Sequence, residues 1–211
     1  MISTGVTTVL NWSHSFTPAF VAGNLRALRD SGLRFVYAYF VRDQSIAELR
    51  RVQRELTHAR PPALLQIASH PSMALLDRLT HAAKLARLIE VPLNVHLNEN
   101  IKQRAEEPFQ AMAAAGAFGV KLVVNHATHL TVPEIALLAA HAAAATHNPL
   151  SNMRLASGIM PPSRAPQGRR RGWPGVGWRH PGYQRHVCQH EGRNRPAEGT
   201  LSMPRCLSRH S

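Results

Sequence analysis

The segment "VPLNVHLNEN" (Val91–Asn100) combines a short apolar run with a polar end. A run of this length, bounded by turn-forming residues, predicts a buried strand. The strand ends on His96, and Glu99 follows three positions later. In parallel α/β folds, the carboxyl ends of the strands carry the functional side chains. The segment therefore predicts a strand of a parallel sheet that delivers a histidine and a glutamate to a functional edge.

The same pattern recurs on both sides of this segment. Short apolar runs alternate with longer stretches of helical periodicity, and they cover residues 7–12, 34–40, 63–69, 92–97, 120–127 and 143–149. This alternation indicates an α/β fold whose parallel sheet is covered by helices. No GxGxxG turn follows any of these strands, so a barrel fits better than a dinucleotide-binding sheet. Periodicity alone leaves both a closed barrel and an open sheet as alternatives.

Local signals set the expected helix boundaries. Ser45 precedes the helical pattern of residues 46–60 and is expected to cap it. Pro133 falls in the first turn of the helix that follows the fifth apolar run, where proline is tolerated. Residues 101–116 are predicted to form one helix.

The last part of the chain has a different composition. Residues 1–162 hold 15 Lys and Arg against 10 Asp and Glu, whereas residues 163–211 hold 10 Arg against 2 Glu. Most of the net charge of +13 therefore lies in the second segment. That segment has no strand or helix period and few apolar residues to offset its ordering entropy. We expect one folded domain over residues 1–162 and a disordered basic tail over residues 163–211.

Histidines recur where predicted strands end, at His96, His126 and His147. Imidazole is the commonest metal ligand in proteins, and strand ends hold it rigidly. Glu99 is placed to move a proton between water and a leaving group. Each histidine could instead have a structural role, as a hydrogen-bond partner of a neighbouring loop. Glu99 could instead be a solvated carboxylate of a surface loop. His129 either lines the pocket or caps the next helix.

The remaining histidines of the folded part carry no such signal. We expect them on the surface or on helices, and they include His14, His58, His70 and His81.

Four segments together resemble the amidohydrolase superfamily: "GVTTVLNW", "VHLNEN", "VVNHATHLT" and "THNPLSNMRLASGIMP". They are most similar to its branch of cytosine deaminases, chlorohydrolases and methylthioadenosine/S-adenosylhomocysteine deaminases, over about residues 1–162. The resemblance implies a TIM-type (β/α)8 barrel, of which this chain holds about strands two to seven. It also implies hydrolysis of a C–N bond in a heterocyclic substrate, with one divalent metal, zinc or iron.

The resemblance also implies roles for individual residues. His96 and His126 correspond to metal ligands, and Glu99 corresponds to the proton shuttle. His147, Asn148 and His129 are expected to bind substrate. The family's ligand set is incomplete here, because no HxH motif precedes "GVTTVLNW" and no aspartate follows Asp77.

The tail is interpreted as a product of out-of-frame translation from about residue 163. In a shifted frame, Ser163–Gln167 can read LALLK and Val176–His180 can read LDGGT. Gln184–Glu191 can read SDMFANMR. These strings are similar to the family's eighth βα unit, including its aspartate ligand. The nucleotide sequence of these codons tests the hypothesis.

Two other functions compete with the hydrolase. In the first alternative the chain is a non-catalytic fragment, and in the second it is a nucleic-acid-binding protein that acts through its arginine-rich tail. Measuring the metal content of the protein distinguishes a non-catalytic fragment from an active enzyme. Loss of nucleic-acid binding after truncation at Pro162 would support the second alternative. We expect a small-molecule substrate and neither a membrane nor a nucleic-acid partner, while a homo-oligomer is left open. Cys188 and Cys206 form no CxxC pair, and no signal peptide or membrane span is visible, so a cytoplasmic location is expected.

Overall fold

A computed structural model describes residues 6–161 of the chain. The predicted tail over residues 163–211 lies outside the described residues. Six strands alternate with six α-helices, in the order β1 Thr8–Ser13, α1 Pro18–Asp30, β2 Arg34–Phe40, α2 Ile46–Thr57, β3 Leu64–Ser69, α3 Leu76–Leu88, β4 Leu93–Leu97, α4 Pro108–Ala114, β5 Leu122–His126, α5 Val132–Ala140, β6 Ala144–Thr146 and α6 Pro149–Arg154. Three short 3₁₀ segments, Met73–Leu75, Ile101–Glu106 and Ala117–Gly119, lie between them.

The strands form one parallel sheet in simple sequential order, β1 to β6. A doubly wound sheet reverses its strand order at a switch point, whereas a barrel adds each strand on the same side. The sequential order therefore decides between the alternatives that periodicity left open. The expectation of an α/β fold with part of a TIM-type barrel is confirmed.

Side chains that cross the inner face show that the sheet curls. The indole Nε1–H of Trp12 on β1 donates to Asn94 Oδ1 on β4 at 3.1 Å. In a flat sheet, three strand spacings would separate these two strands by about 14 Å. The Asn94 amide in turn donates to Gln66 Oε1, and Asn125 donates to Asn94 Oδ1. Thr146 donates to Asn125 Oδ1, so a hydrogen-bonded ladder joins five strands beneath the strand ends.

The other face of the sheet carries the main core. Apolar residues at alternate strand positions pack there against the helices, and they include Phe35, Tyr37, Tyr39, Leu65, Ile67, Leu93, Val95 and Leu97. A smaller cluster of Ala38, Phe40 and Ala68 lies on the inner face beside Leu10 and Trp12. This alternation follows from the two-residue period of a strand. It assigns Asn94 and His96 to the inner face of β4.

Helix starts follow the local signals. The Ser45 side chain accepts a hydrogen bond from the Glu48 amide at 3.2 Å, as predicted for the start of α2. At α5, Thr131 and Glu134 form a capping box, and Pro133 lies in the first turn. Within residues 6–161, no helix is long and apolar enough to cross a bilayer.

The helix predicted over residues 101–116 is wrong in one respect. The chain forms a 3₁₀ segment, Ile101–Glu106, and then a separate helix, α4. Glu107 between them has a left-handed backbone, with φ of 51°. Pro108 follows it, and proline disfavours an α conformation in the preceding residue. The break separates α4 from the 3₁₀ segment, whose Gln103 and Arg104 contact Glu99 and His129 in the loops after β4 and β5.

Candidate metal centre

His96, Glu99 and His126 meet at the carboxyl edge of the sheet. His96 lies on β4, Glu99 lies in the loop that follows, and His126 is the last residue of the neighbouring strand β5. The two imidazole rings have their centroids 4.8 Å apart. One ligand atom from each of the three side chains lies within 4.8 Å of the others. The pair Glu99 Oε1 and His126 Nε2 is separated by 3.6 Å.

An unusual backbone turn aims His126 at this site. Leu122 and Val124 of the same strand pack among the helices, and strict alternation would send His126 to that face too. Instead, His126 and Ala127 have φ of 68° and 50°. Consecutive left-handed residues other than glycine are uncommon and concentrate at functional sites. The turn ends the strand and leaves the His126 ring against His96.

The second ring nitrogen of His126 is already bonded within the protein. His126 Nδ1 lies 2.7 Å from Asn152 Oδ1, and both side chains are buried. Asn152 belongs to α6, which begins directly after the sixth strand and its flanking His147 and Asn148. The bond to Asn152 leaves Nε2 as the nitrogen that faces Glu99.

The His96 ring lies in an aromatic pocket. The Trp12 ring centroid is 4.1 Å from it, and the His70 ring centroid is 5.7 Å away. Burial, together with the neighbouring His126 and His70, lowers the pKa of His96 to about 3. The imidazole is therefore neutral at physiological pH, which is the form that binds a metal.

Two side chains from nearby elements hold the Glu99 backbone. The Glu99 amide donates to Gln103 Oε1 at 2.6 Å. The Thr128 hydroxyl lies 2.7 Å from the Asn98 carbonyl and 2.8 Å from the Glu99 carbonyl. Thr128 is only two residues beyond His126, so one hydroxyl ties the glutamate loop to the histidine loop.

A second tie joins the same loops further from the site. Arg104 forms a bidentate pair with Glu134, with both N–O distances at 3.1 Å. Arg104 also donates to the His129 carbonyl at 2.7 Å. Burial alone would raise the pKa of Glu134, but hydrogen bonds from Arg104 and Thr131 outweigh it and hold that pKa below its usual value.

Two further strand-end histidines lie near the site: His70 is partly buried rather than on the surface, whereas His14 is exposed, as expected. His70 directly follows β3 and is partly buried, with its ring centroid 5.3 Å from the Phe40 ring. His14 directly follows β1, is exposed, and contacts the edge of the Trp12 ring. Burial lowers the pKa of His70 below its ordinary value. The available signal was the same one that pointed to His96, namely a histidine at a strand end.

The proposed substrate residues occupy different surroundings. His147 follows Thr146, which pairs in register with Asn125, so His147 and Asn148 lie at the same sheet edge as His126. His129 Nε2 lies 2.5 Å from the Ser157 carbonyl, so its ring joins two loops. Thr131 rather than His129 caps α5, and a place for His129 in the substrate pocket stays a prediction.

The donor set fits a divalent transition metal. Imidazole nitrogens, here from His96 and His126, are ligands that zinc and iron(II) accept, and the Glu99 carboxylate lies beside them. His96 lies on a regular strand and the left-handed turn fixes His126, so the donors are held in place before binding. The residues present could therefore hold a metal ion.

The amidohydrolase family matches residues 1–168 of the sequence. The chain belongs to the amidohydrolase family. A 5'-deoxyadenosine deaminase of Methanocaldococcus jannaschii is 31% identical over 164 residues, which cover 67% of this chain and 38% of that protein. A 5-methylthioadenosine/S-adenosylhomocysteine deaminase of Carboxydothermus hydrogenoformans is 39% identical over 83 residues, or 36% of this chain and 19% of that protein. The chain thus spans less than half the length of these relatives.

Solved structures share the fold. A guanine deaminase from C. acetobutylicum with bound guanine superposes with a TM-score of 0.61 at 20% identity, covering 76% of this chain and 43% of that one. An adenosine deaminase from Xanthomonas campestris with bound zinc gives 0.60 at 21% identity, covering 75% and 39%. At these identities the likeness establishes the shared architecture of the sheet and its helices.

Proposed function

We propose that the chain carries the central part of a metal-dependent deaminase, which hydrolyses a C–N bond of a heterocyclic small molecule. The observation that carries the proposal is the convergence of His96, Glu99 and His126 within 4.8 Å at the edge where strands end. Family membership supports the reaction class. The relatives named as deaminases, and the neighbour with bound zinc, support the substrate class and a divalent ion.

In this proposal His96 and His126 hold the ion, which is zinc or iron. The chemistry that a bound divalent ion supplies is Lewis acidity, which makes water a nucleophile near neutral pH. The buried, neutral imidazole of His96 offers its lone pair without first losing a proton. His126 presents Nε2 because its other nitrogen is bonded to Asn152.

Glu99 moves the proton. Its carboxylate accepts a proton from the attacking water and returns it to the departing amine. One C–O bond forms, one C–N bond breaks, and ammonia leaves. The contacts from Gln103 and Thr128 fix the Glu99 backbone, so the carboxylate starts within reach of the two imidazoles.

The substrate is proposed to lie at the carboxyl edge of the sheet, on the side of its inner face. His147 and Asn148 lie beside His126 along this edge, and His70 and Trp12 present aromatic faces next to His96. Aromatic faces suit a planar heterocycle, because stacked rings attract each other beyond their buried area. His129 is committed to the Ser157 carbonyl, so its proposed part is to shape this edge.

The function is tested by ammonia release from the full chain after loading with zinc or iron(II). The substrates to offer are 5'-deoxyadenosine and 5-methylthioadenosine, which the related deaminases name. Glu99→Gln should bind metal as the wild type does and lose about 10²- to 10⁴-fold in rate. Because the chain lacks part of the family's ligand set, we expect the wild-type rate to be low. Ammonia release that does not depend on the added metal, or a Glu99→Gln variant as fast as the wild type, would contradict the proposal.

A further inference from the structure

Asn152 contacts the proposed metal centre from behind. Its side chain is fully buried, with 0% relative exposure, and Oδ1 lies 2.7 Å from His126 Nδ1. Its backbone is fixed on both sides, because its amide donates to the Asn148 carbonyl and its carbonyl accepts from Ser157. These two backbone hydrogen bonds hold Asn152 in place beside His126.

The contact determines which nitrogen of a neutral His126 carries the proton. A carboxamide oxygen only accepts hydrogen bonds, so its partner Nδ1 must be the protonated nitrogen. The lone pair then lies on Nε2, which faces Glu99 Oε1 at 3.6 Å. Free histidine in water favours the opposite tautomer, in which Nε2 carries hydrogen and cannot coordinate a metal.

We propose that Asn152 is a positioning residue that holds His126 in the Nδ1–H tautomer and keeps Nε2 open for a divalent cation. The inference rests on the proposed metal site and extends it to a residue that touches neither metal nor substrate. Hydrogen bonds of this kind orient ligand imidazoles and increase their basicity.

The contact with His126 is the one hydrogen bond of the Asn152 side chain among the described residues. Asn152 Nδ2 is buried and has no hydrogen-bond partner among residues 6–161. An unpaired buried donor is costly, and a leucine of similar volume would avoid the cost. If the amide were reversed, Nδ2 would donate to His126 Nδ1 and force the proton onto Nε2. The two orientations therefore predict opposite tautomers.

The decisive variants keep or remove the acceptor. Asn152→Asp retains an oxygen at the same position, whereas Asn152→Leu has none. Asn24→Leu is the matched control, because Asn24 lies on α1 and also has one buried side-chain atom, its Oδ1, without a partner in the described part of the chain. Circular dichroism of each full-length variant verifies the fold.

The first readout needs neither metal nor activity. Long-range ¹H–¹⁵N correlation spectra of histidine-labelled, metal-free chain report the tautomer of each ring. The signals of His126 are assigned by their loss in His126→Asn. We expect the Nδ1–H form in the wild type and in Asn152→Asp, and the Nε2–H form or a mixture in Asn152→Leu. An Nε2–H tautomer in the wild type would overturn the inference.

The second readout is zinc affinity, measured by competition with a chromophoric chelator. Asn152→Leu should bind about 10- to 100-fold more weakly than the wild type, with Asn152→Asp within about threefold of it. Equal losses in Asn152→Leu and Asn24→Leu would also refute the inference. If Asn152→Leu does not fold, the His126 tautomer in the wild type and in Asn152→Asp still tests the inference. A correct tautomer in a wild type that binds no zinc refutes the metal site instead.

Discussion

Replacing Thr128 with valine removes one hydroxyl from the contact between the glutamate loop and the histidine loop. Valine has nearly the same shape, so packing is kept and the hydrogen bond alone is lost. The hydroxyl lies 2.7 Å from the Asn98 carbonyl and 2.8 Å from the Glu99 carbonyl. Thr128 is 5% exposed, so water does not replace the bond without local opening.

The expected loss in free energy of unfolding follows from the single proton that the Thr128 hydroxyl can donate. A hydroxyl carries a single proton, so the two short contacts share one hydrogen bond. Losing it leaves buried carbonyl groups with a missing partner, which costs about 1–3 kcal/mol in free energy of unfolding. The same change should speed hydrogen exchange of the Glu99 amide, because the segment that bears it is no longer tied to the neighbouring loop.

Urea denaturation measures this loss, and Thr57→Val is its control. The Thr57 hydroxyl bonds the Gln53 and Arg54 carbonyls of its own helix at 3.1 Å and 3.0 Å, but it is exposed. Its replacement should change the free energy of unfolding by less than about 0.5 kcal/mol. If Thr128→Val costs no more than Thr57→Val, the hydroxyl does not hold the two loops together.

Three further changes have distinct signatures. Glu134→Gln should lower stability by about 1 kcal/mol at neutral pH, since it weakens the partly exposed pair with Arg104 and the helix cap. The pKa of Glu134 is lower in the folded than in the unfolded chain, so this difference should vanish as pH falls through the folded-state pKa. Leu97→Ala, at a position with 0% exposure, should cost about 2–5 kcal/mol in urea denaturation. Trp12→Phe should cost about 0.5–1.5 kcal/mol in thermal unfolding, because Asn94 Oδ1 loses one donor.

Each of these has a clear contrary result. A Glu134→Gln deficit that persists or grows in acid would show that the ionised carboxylate is not the stabilising form. A Leu97→Ala loss below about 1 kcal/mol would mean that this side of the sheet is not packed as described. Wild-type stability in Trp12→Phe would remove the support for a hydrogen-bonded link between β1 and β4.

Much of the fold was predictable because its signals are local. Ser45 and Pro133 mark helix starts through their own side chains, and apolar runs mark buried strands wherever they occur. The break at Glu107 was missed, although Pro108 follows it and proline disfavours an α conformation in the preceding residue. The sequential strand order was not visible, since it depends on contacts between strands rather than on any one strand.

The site was predictable only in part, for a similar reason. His96 and His126 stand at strand ends, and their sequence positions alone suggested that they share an edge. His14 and His70 also follow strands directly. The aromatic cluster that they form with Trp12 and His96 comes from β1, β3 and β4, which are far apart in sequence. Asn152 sits inside a short helix, and only the fold shows that it reaches the back of His126.

Zinc titration of the metal-free full chain, read by calorimetry and by elemental analysis after dialysis, tests the metal site most directly. The chain holds 13 histidines and 2 cysteines, so binding by itself is not decisive, and His96→Asn and His126→Asn must be compared with His58→Asn. His58 is exposed and lies at the end of α2. The account predicts one bound zinc ion that is lost in the first two variants and kept in the third. Zinc retained by the His96→Asn, His126→Asn double variant, or no zinc in the wild type, would contradict it.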